Sequence, residues 1–266
     1  MDSALTEILK SLAEATGVAI DSIKINSTTR EMRNGQPIWV KRRKPGSELV
    51  AVSANVFFRL TRARIHVWVS PEKWQQWEVS CFHLLYGRGF RAFAEGSRAV
   101  CADKVPGASV LRHLNLGTLT PSILEAAARE FRRVHELWCE EFGDLWSHGD
   151  PHLNNVIYDK ADGRARLIDF EAAHLKSLPA IVRHADDLLV FLQDMAGWVS
   201  ADQWLAFALC FINAYDWPEV VAELRKHLIV PGGLPALWWK LRSHYLDRKK
   251  LIRRFGALER ALVALR

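Results

Sequence analysis

Residues 146–159 are Trp-Ser-His-Gly-Asp-Pro-His-Leu-Asn-Asn-Val-Ile-Tyr-Asp, and residues 166–171 are Arg-Leu-Ile-Asp-Phe-Glu. This stretch decides the fold. It predicts an irregular polar segment, then a strand over 156–158, an Asp162-Gly163 turn and a second strand over 165–168. Antiparallel pairing brings the start of the first strand next to the end of the second. The predicted hairpin therefore gathers the polar residues that flank it on both sides.

Three side chains with oxygen atoms lie at those two ends. Asp150 and Asn155 precede the first strand, and Asp169 follows the second. Phosphoryl transfer to a hydroxyl needs one carboxylate beside the attacking oxygen. It also needs oxygen ligands for Mg²⁺, a hard cation that binds carboxylates, amide oxygens and substrate phosphates. The alternative is a surface hairpin with polar ends.

The spacing Asp-x-x-x-x-Asn, followed by a strand and Asp-Phe, resembles the catalytic loop and metal motif of protein kinases. In the form His-Gly-Asp-x-His-x-x-Asn it resembles aminoglycoside/choline kinases and bacterial lipopolysaccharide core kinases within the protein-kinase-like superfamily. The resemblance implies that Asp150 is the catalytic base and that Asn155 and Asp169 bind Mg²⁺. It also implies that His148 braces the loop and that His152 approaches the acceptor.

The resemblance implies an α+β, two-lobed protein-kinase-like fold. Residues 1–100 would form an N-lobe, a nucleotide-binding sheet with a lysine strand and a glutamate helix. Residues 101–266 would form a mainly helical C-lobe with the catalytic loop, the metal motif and basic C-terminal helices. We expect the cofactors ATP and Mg²⁺.

The lysine strand is predicted from Ile38-Trp-Val-Lys41, which resembles Val-Ala-Ile-Lys of kinases. An Asn34-Gly35 turn precedes it within a small predicted antiparallel sheet that begins at Ile20. Lys41 is therefore the expected phosphate-pairing lysine; the alternative is a solvated basic run, 41–44. The loop over the phosphates is expected within 26–33, although no Gly-x-Gly-x-x-Gly motif occurs there.

The glutamate helix is predicted over 72–86, after Pro71 and before Gly87. The resemblance implies that Glu78 on this helix pairs with the lysine, with Glu72 as the rival. This pairing requires residues 48–69 to be an insertion packed on the fold. The alternative for 48–69 is a basic amphipathic helix on an anionic membrane surface.

Further elements follow in order. Residues 92–100 and 101–107 predict two strands and an inter-lobe connector, with the adenine expected near 101–104 and hence near Asp103. A core helix is predicted from Thr120 to about Phe142, and its His135 is expected to be structural. Further helices are predicted over 4–15, over 204–215, from Pro218 and over 238–266. The last is basic, with a solvated face or a face toward anionic lipid or phosphosugar.

The short segment after Glu171, which stands where protein kinases have glycine, leaves no room for a long activation loop before a helix predicted over 181–195. In the superfamily an aspartate on this helix often braces the catalytic loop, and Asp186 and Asp187 are the candidates. The alternative is that both lie in a solvated first turn of that helix, where carboxylates are favoured.

Composition limits the remaining possibilities. The 266 residues carry a net charge of +6 and four widely spaced cysteines without a CxxC pair, which indicates a reducing compartment and an anionic partner. No signal peptide and no long apolar run occur, so we expect a cytoplasmic protein, with peripheral contact at the inner membrane face as an option.

The expected function is Mg²⁺- and ATP-dependent phosphorylation of a hydroxyl. The basic balance disfavours polycationic aminoglycosides and favours an anionic small-molecule or glycolipid acceptor such as a lipopolysaccharide core sugar. The alternatives are a protein serine/threonine kinase and a pseudokinase scaffold. Nucleic acid is not an expected partner, because no recognisable binding motif accompanies the charge. The sequence leaves the oligomeric state open.

Overall fold

The fold comes from a computed structural model that describes residues 25–33, 35–242 and 246–264. The helix predicted over 4–15 and the start of the predicted sheet, 20–24, lie outside these residues. So does Asn34 of the predicted turn.

The described strands form one four-stranded sheet, one three-stranded sheet and two strand pairs, all antiparallel. They are β1 Asn26–Arg33, β2 Gln36–Arg43, β3 Ile65–Val67, β4 Ala92–Glu95, β5 Ala99–Asp103, β6 Ala108–Ser109, β7 Trp138–Cys139, β8 Asp144–Leu145, β9 Val156–Asp159, β10 Arg164–Leu167 and β11 Ala172–His174.

The described helices lie mostly in the second half of the chain. They are α1 Ser47–Leu60, α2 Pro71–Tyr86, α3 Val110–Asn115, α4 Pro121–His135, α5 Ala180–Trp198, α6 Ala201–Tyr215, α7 Pro218–Lys226, α8 Pro235–Arg242 and α9 Arg248–Ala264. A short 3₁₀ turn spans Leu153–Asn155. A small antiparallel sheet followed by a mainly helical region confirms the predicted α+β class.

The N-terminal sheet has the strand order β1-β2-β5-β4. In β2, Ile38 and Val40 are buried while Trp39 is exposed, the alternation of a strand with one face against a core. Two predictions for this region were wrong. The segment 26–33 is not a phosphate loop but a strand paired along its whole length with β2. Residues 101–103 are not a connector, because Cys101 is a buried part of β5.

Helix α2 begins and ends where the sequence predicts. Ser70 caps it by accepting the N–H of Lys73, and Pro71 occupies its first turn. It ends at Gly87, whose φ of 79° favours glycine. Its buried face contacts the main core, which runs on through α4, α5 and α6.

The segment between β2 and α2 packs on the fold. Ala51 and Phe58 of α1 join Ile65 and Val67 of β3 and Ala172 in a small buried cluster. Strand β3 pairs with β11. The predicted insertion is therefore a packed part of the molecule.

Helix α4 ends at His135, seven residues before the predicted end. The chain there turns at Gly143, φ 62°, so that β7 and β8 pair before the catalytic loop. The predicted continuous tail, 238–266, is also wrong, since α8 ends at Arg242 and α9 begins at Arg248. Strand β5 crosses residue 100, the predicted lobe boundary, and the boundary stays a prediction.

Candidate active site

The predicted hairpin places the polar residues of the catalytic loop, here residues 148–155, beside Asp169. Val156 of β9 pairs with Leu167 of β10. Just beyond this pair, the Ile168 N–H donates to the Asn155 carbonyl at 3.0 Å. Asn155 and Asp169 are therefore neighbours across the open end of the hairpin.

Within the loop, the Asn155 side chain is 3% exposed, and its Nδ2 donates to the Asp150 carbonyl at 3.0 Å. This bond leaves the amide oxygen as the group available to a cation. The hairpin ends are thus built into the protein, and the alternative of a plain surface hairpin is wrong.

Asp187 of α5 holds the start of the catalytic loop from behind. Its two oxygens accept the N–H groups of His148 and Gly149, both at 2.8 Å. His135 Nε2 lies 3.1 Å from the same carboxylate. Asp187 is fully buried, so the alternative of a solvated first turn is wrong and the bracing prediction is confirmed for Asp187. Burial acts to raise the pKa of Asp187, but the surrounding histidines, His174 first, lower it to about 2.

The second aspartate of the helix, Asp186, is also buried but faces two arginines. A third carboxylate of the same helix, Asp194, accepts the Leu153 N–H at 2.7 Å. The sequence analysis missed Asp194. Its position about two helical turns after Asp187, on the same face of the helix, was the signal in the sequence.

Lys41 of β2 lies in a cluster of carboxylates. Its Nζ is 2.9 Å from Glu78 Oε1 on α2 and 3.0 Å from Glu171 Oε1, and it contacts Asp169 Oδ1. These four residues are called the lysine cluster below. Lys41 is 9% exposed, which excludes the alternative of a solvated basic run.

Sequence analysis missed the contact of Glu171 with Lys41, as well as two neighbours that hold the lysine cluster. Trp74 Nε1 donates to Glu78 Oε2 at 2.8 Å, and Asn26 Nδ2 donates to Glu171 Oε1 at 2.6 Å. Glu72, the rival of Glu78, accepts instead from Ser70 at the start of α2. The position of Glu171, two residues after Asp169, was the sequence feature that could have predicted a third carboxylate at Lys41.

Charge and burial oppose each other in the lysine cluster. Burial acts to lower the pKa of Lys41, but Asp169, Glu171 and Glu78 together raise it well above its usual range. Burial and the two neighbouring carboxylates raise the pKa of Glu78 to about 7 despite its bonds to Lys41. Desolvation acts to raise the pKa of Asp169, and the ammonium of Lys41 lowers it. Three acids therefore share one buried cation.

The family model that matches this chain is that of the phosphotransferase enzyme family (APH), over residues 89–178. The match includes Asp150, Asn155 and Asp169. Over those residues the chain is similar to this phosphotransferase family. No curated protein sequence matches the chain.

Two solved structures are similar to this protein. One is Plasmodium vivax ethanolamine kinase Pv091845, with 9% sequence identity and a TM-score of 0.48 over 89% of this chain and 79% of that one. The other is the Mycobacterium tuberculosis Rv3197–erythromycin complex, with 15% identity and a TM-score of 0.38 over 70% and 51% of the two chains.

The chain turns sharply at Asp169, whose φ of 69° lies in the left-handed region. Aspartate tolerates this conformation better than most residues. The next residue, Phe170, is fully buried with ring centroids 5.1 Å from Phe82 of α2 and 5.3 Å from His148. One aromatic residue thus links the metal motif, the glutamate helix and the catalytic loop.

The two histidines of the loop have different surroundings. His148 accepts the Asp150 N–H at Nδ1, 3.3 Å, so its Nε2 carries the proton and donates to the Ile168 carbonyl at 3.0 Å. Burial lowers the pKa of His148, which keeps this neutral tautomer. His152 is one-third exposed, and its Nε2 lies 3.9 Å from Asp150 Oδ2.

The remaining predicted residue, Asp103, lies at the end of β5. Its carboxylate pairs with Arg91 at 2.7 Å. No helix among the described residues is long and apolar enough to cross a lipid bilayer.

Proposed function

We propose that this protein is a kinase that transfers the γ-phosphoryl group of Mg·ATP to a hydroxyl of an anionic acceptor, such as a phosphorylated core sugar of lipopolysaccharide. The observation that carries the proposal is the lysine cluster. It joins a strand lysine, a helix glutamate and the aspartate of the Asp-Phe motif within contact distance. Phosphoryl transfer depends on such positioned charges more than on covalent chemistry.

The lysine cluster and the loop fit Mg²⁺. One ammonium meets three carboxylates, so the cluster has a negative excess that a divalent cation would neutralise. Asp169 and the amide oxygen of Asn155 would be the ligands. The described part of the chain holds no group of three His, Cys, Asp or Glu residues suited to a metal by themselves. This agrees with Mg²⁺, which usually takes one or two protein ligands and completes its shell with phosphates and water. Bound Mg²⁺ would neutralise charge on the phosphates.

Four side chains have further roles in the proposed reaction. Lys41, fixed by Glu78, would neutralise the phosphates of the nucleotide. Asp150, with a side chain 38% exposed, would orient the acceptor hydroxyl and accept its proton. His148 acts as a positioning residue, because its ring bonds to the backbone on both sides of the site. The partly exposed His152 would contact the acceptor.

The anionic acceptor is supported by charge. The chain carries a net charge of +6, and α9 has six arginine or lysine residues over its 17 positions. Like-charge contacts would disfavour a polycationic acceptor, and opposite charges would steer an anionic one to the protein. Contact with an anionic membrane surface is part of the same proposal.

The test is thermal unfolding of the wild type and Asp169→Ala with and without Mg·ATP. A ligand that binds only the folded state raises the unfolding midpoint. We expect Mg·ATP to raise the midpoint of the wild type by several degrees and to leave that of Asp169→Ala unchanged. Asp162→Ala, in the exposed β9–β10 turn, is the matched control and should keep the wild-type response.

The acceptor is tested next, by ³²P transfer from labelled ATP to phosphorylated core oligosaccharide and to its dephosphorylated form. Preference for the phosphorylated form is expected. No midpoint shift in folded wild-type protein at millimolar ATP would instead support the pseudokinase alternative. Equal labelling of both sugars would contradict the preference for an anionic acceptor but would leave the proposed kinase activity supported.

A further inference from the structure

A cavity of about 220 Å³ lies where the segment after α1 meets α5, α8 and the end of α7. None of the residues of the lysine cluster lines it, nor do Asp150 and Asn155. We call it the basic pocket. Its defining residues are Arg62, Arg64, Asp186, Lys226, Trp238 and Arg242.

The basic pocket has more cations than acids. Four of its defining residues are arginine or lysine, and one is an aspartate. Lys226 has a partner outside the pocket lining, Glu223, at 2.6 Å. Even with that pair set aside, three guanidinium groups face a single carboxylate.

That carboxylate, Asp186, is already fully used. Its Oδ1 is 3.3 Å from Arg64 Nη1, and its Oδ2 is 3.1 Å from Arg242 Nη2 and 3.4 Å from His174 Nε2. Burial acts to raise the pKa of Asp186, but the charge of Arg242 above all lowers it. The pKa of Asp186 therefore lies far below its usual range. Asp186 is therefore ionised and has no capacity for a further cation.

Arg242 is the best-buried cation of the pocket. Its side chain is 6% exposed, and its guanidinium lies 4.9 Å from the centroid of the Trp238 ring. Two buried donors that line the pocket, Arg242 Nε and Trp238 Nε1, have no hydrogen-bond partner among the residues that the structure describes. Unpaired buried donors are costly and rare in native proteins, so an acceptor group is expected in the pocket.

We propose that the basic pocket binds a phosphoryl group, as free phosphate or as part of a phosphorylated small molecule. A phosphoryl group offers several acceptor oxygens, and guanidinium groups bind such oxygens in pairs. The partly exposed Arg64 and the exposed Arg62 lie at the same pocket and would complete the neutralisation. The site is separate from the nucleotide site of the proposed function and does not depend on it.

The pocket is linked to the active site through one histidine. His174 contacts Asp186 with Nε2 and Ser147 Oγ with Nδ1, at 2.9 Å, and Ser147 immediately precedes the catalytic loop. The neighbouring Asp187 holds that loop. An anion in the pocket would therefore lie beside Asp186, the neighbour in sequence of the aspartate that holds the catalytic loop.

The experiment is calorimetric titration of the full chain, without Mg²⁺ or nucleotide, with inorganic phosphate. The variants are Arg242→Gln, Arg62→Gln and, as a matched control, Arg129→Gln, an arginine that is 61% exposed on α4. We expect one site, weakened about tenfold or more in Arg242→Gln because a charge-assisted bond is lost. Arg62→Gln should weaken it less, and Arg129→Gln should match the wild type.

Arg62 is exposed, so its variant tests the pocket even if Arg242→Gln unfolds. A second titration compares glucose 6-phosphate with inorganic phosphate and glucose. Tighter binding of glucose 6-phosphate than of phosphate would identify the ligand as a phosphorylated small molecule. Equal binding would identify it as free phosphate. Either result supports a phosphoryl site in the basic pocket.

The inference is overturned if phosphate does not bind at millimolar concentration. It is also overturned if glucose competes, or if Lys41→Met abolishes phosphate binding while Arg62→Gln and Arg242→Gln keep it, because the anion would then occupy the nucleotide site. Thermal unfolding with Mg·ATP on the same samples separates this failure from failure of the proposed function.

Discussion

The support of the catalytic loop and the lysine cluster lie on two sides of the same site and differ in charge balance. Behind the loop, the carboxylate of Asp187 meets two backbone N–H groups and His135, with every partner in place. In the lysine cluster, three carboxylates share the single ammonium of Lys41. The first region is complete as it stands, and the second carries a negative excess.

This difference shows which part of the site is fixed and which part depends on ligands. Buried, fully paired polar groups rigidify the backbone around them. An acidic excess is destabilising until a cation arrives. We therefore expect the loop to hold its geometry without ligands and the lysine cluster to respond to pH and to Mg²⁺.

The largest effect is expected from Asp150→Asn, which removes the proposed base and leaves both regions intact. Loss of a general base lowers kcat by about 10² to 10⁴-fold. The Asp150 side chain is 38% exposed, so the free energy of unfolding should change by less than about 1 kcal/mol. Labelled-phosphate transfer and urea unfolding measure the two quantities. Asp162→Asn is the control, and wild-type kcat in Asp150→Asn would exclude the base assignment.

Next in size is Asp187→Asn, which breaks the complete region. An amide keeps one acceptor oxygen, so one buried N–H and His135 lose their charged partner. Removing one member of a buried charged network costs about 3 to 5 kcal/mol. Urea unfolding should show this loss, with the midpoint of Asp194→Asn falling less because Asp194 accepts one N–H of the loop where Asp187 accepts two. A loss below about 1 kcal/mol would mean that Asp187 does not support the loop.

A change of pH should change the stability contributed by the buried histidines around the loop and by Glu78 of the lysine cluster in opposite directions. Burial lowers the pKa of His148 and His135, and that of His184 to about 2. The stabilisation by these neutral histidines is present above the unfolded pKa near 6.5 and is lost as pH falls below it, by about 2 kcal/mol at pH 5 for His184. Glu78 has a raised pKa, so its effect is the reverse: the cluster gains stability as pH falls through about 7.

The measurement is urea unfolding of the apo protein from pH 8 to pH 5. The wild type should lose stability below about pH 6.5, since several histidines outweigh one glutamate. His184→Phe should flatten this acid limb. Glu78→Gln should remove any gain between pH 8 and pH 6.5. Identical pH curves for all three proteins would contradict the contrast between the regions.

The smallest effect is expected from Glu171→Gln, which reduces the excess in the lysine cluster by one charge. Glu171 is 31% exposed, so the free energy of unfolding without Mg²⁺ should change by less than about 1 kcal/mol. Mg²⁺ alone should raise the unfolding midpoint of the wild type more than that of the variant. Glu95→Gln, a half-buried carboxylate paired with Arg33 on the same sheet, is the control. An equal Mg²⁺ response in all three would show that the excess does not attract the cation.

Local patterns predicted the elements around the site well. The Asp162-Gly163 turn fixed the β9–β10 hairpin, and Pro71 and Gly87 fixed both ends of α2. The resemblance of Ile38-Trp-Val-Lys41 to Val-Ala-Ile-Lys identified the lysine strand. These features depend on neighbours in sequence, which a single chain displays directly.

Long-range contacts were harder to predict. The sequence does not require the contact of Glu171 with Lys41 or that of Asp194 with Leu153, because the two partners of each pair are far apart in the chain.

The end of α4 was predicted too late because apolar residues continue at helical spacing past His135. Tertiary pairing of β7 with β8 overrides that periodicity.

The pairing of β3 with β11 has a mechanical consequence. The polypeptide between β5 and β6 already joins the N-terminal sheet to the helical region. The β3–β11 ladder, from Ile65–His174 to Val67–Ala172, adds a second tie between the chain that leads into α2 and the chain that leaves Asp169. Separation of the chain that leads into α2 from the chain that leaves Asp169 would therefore require the hydrogen bonds between these two strands to break.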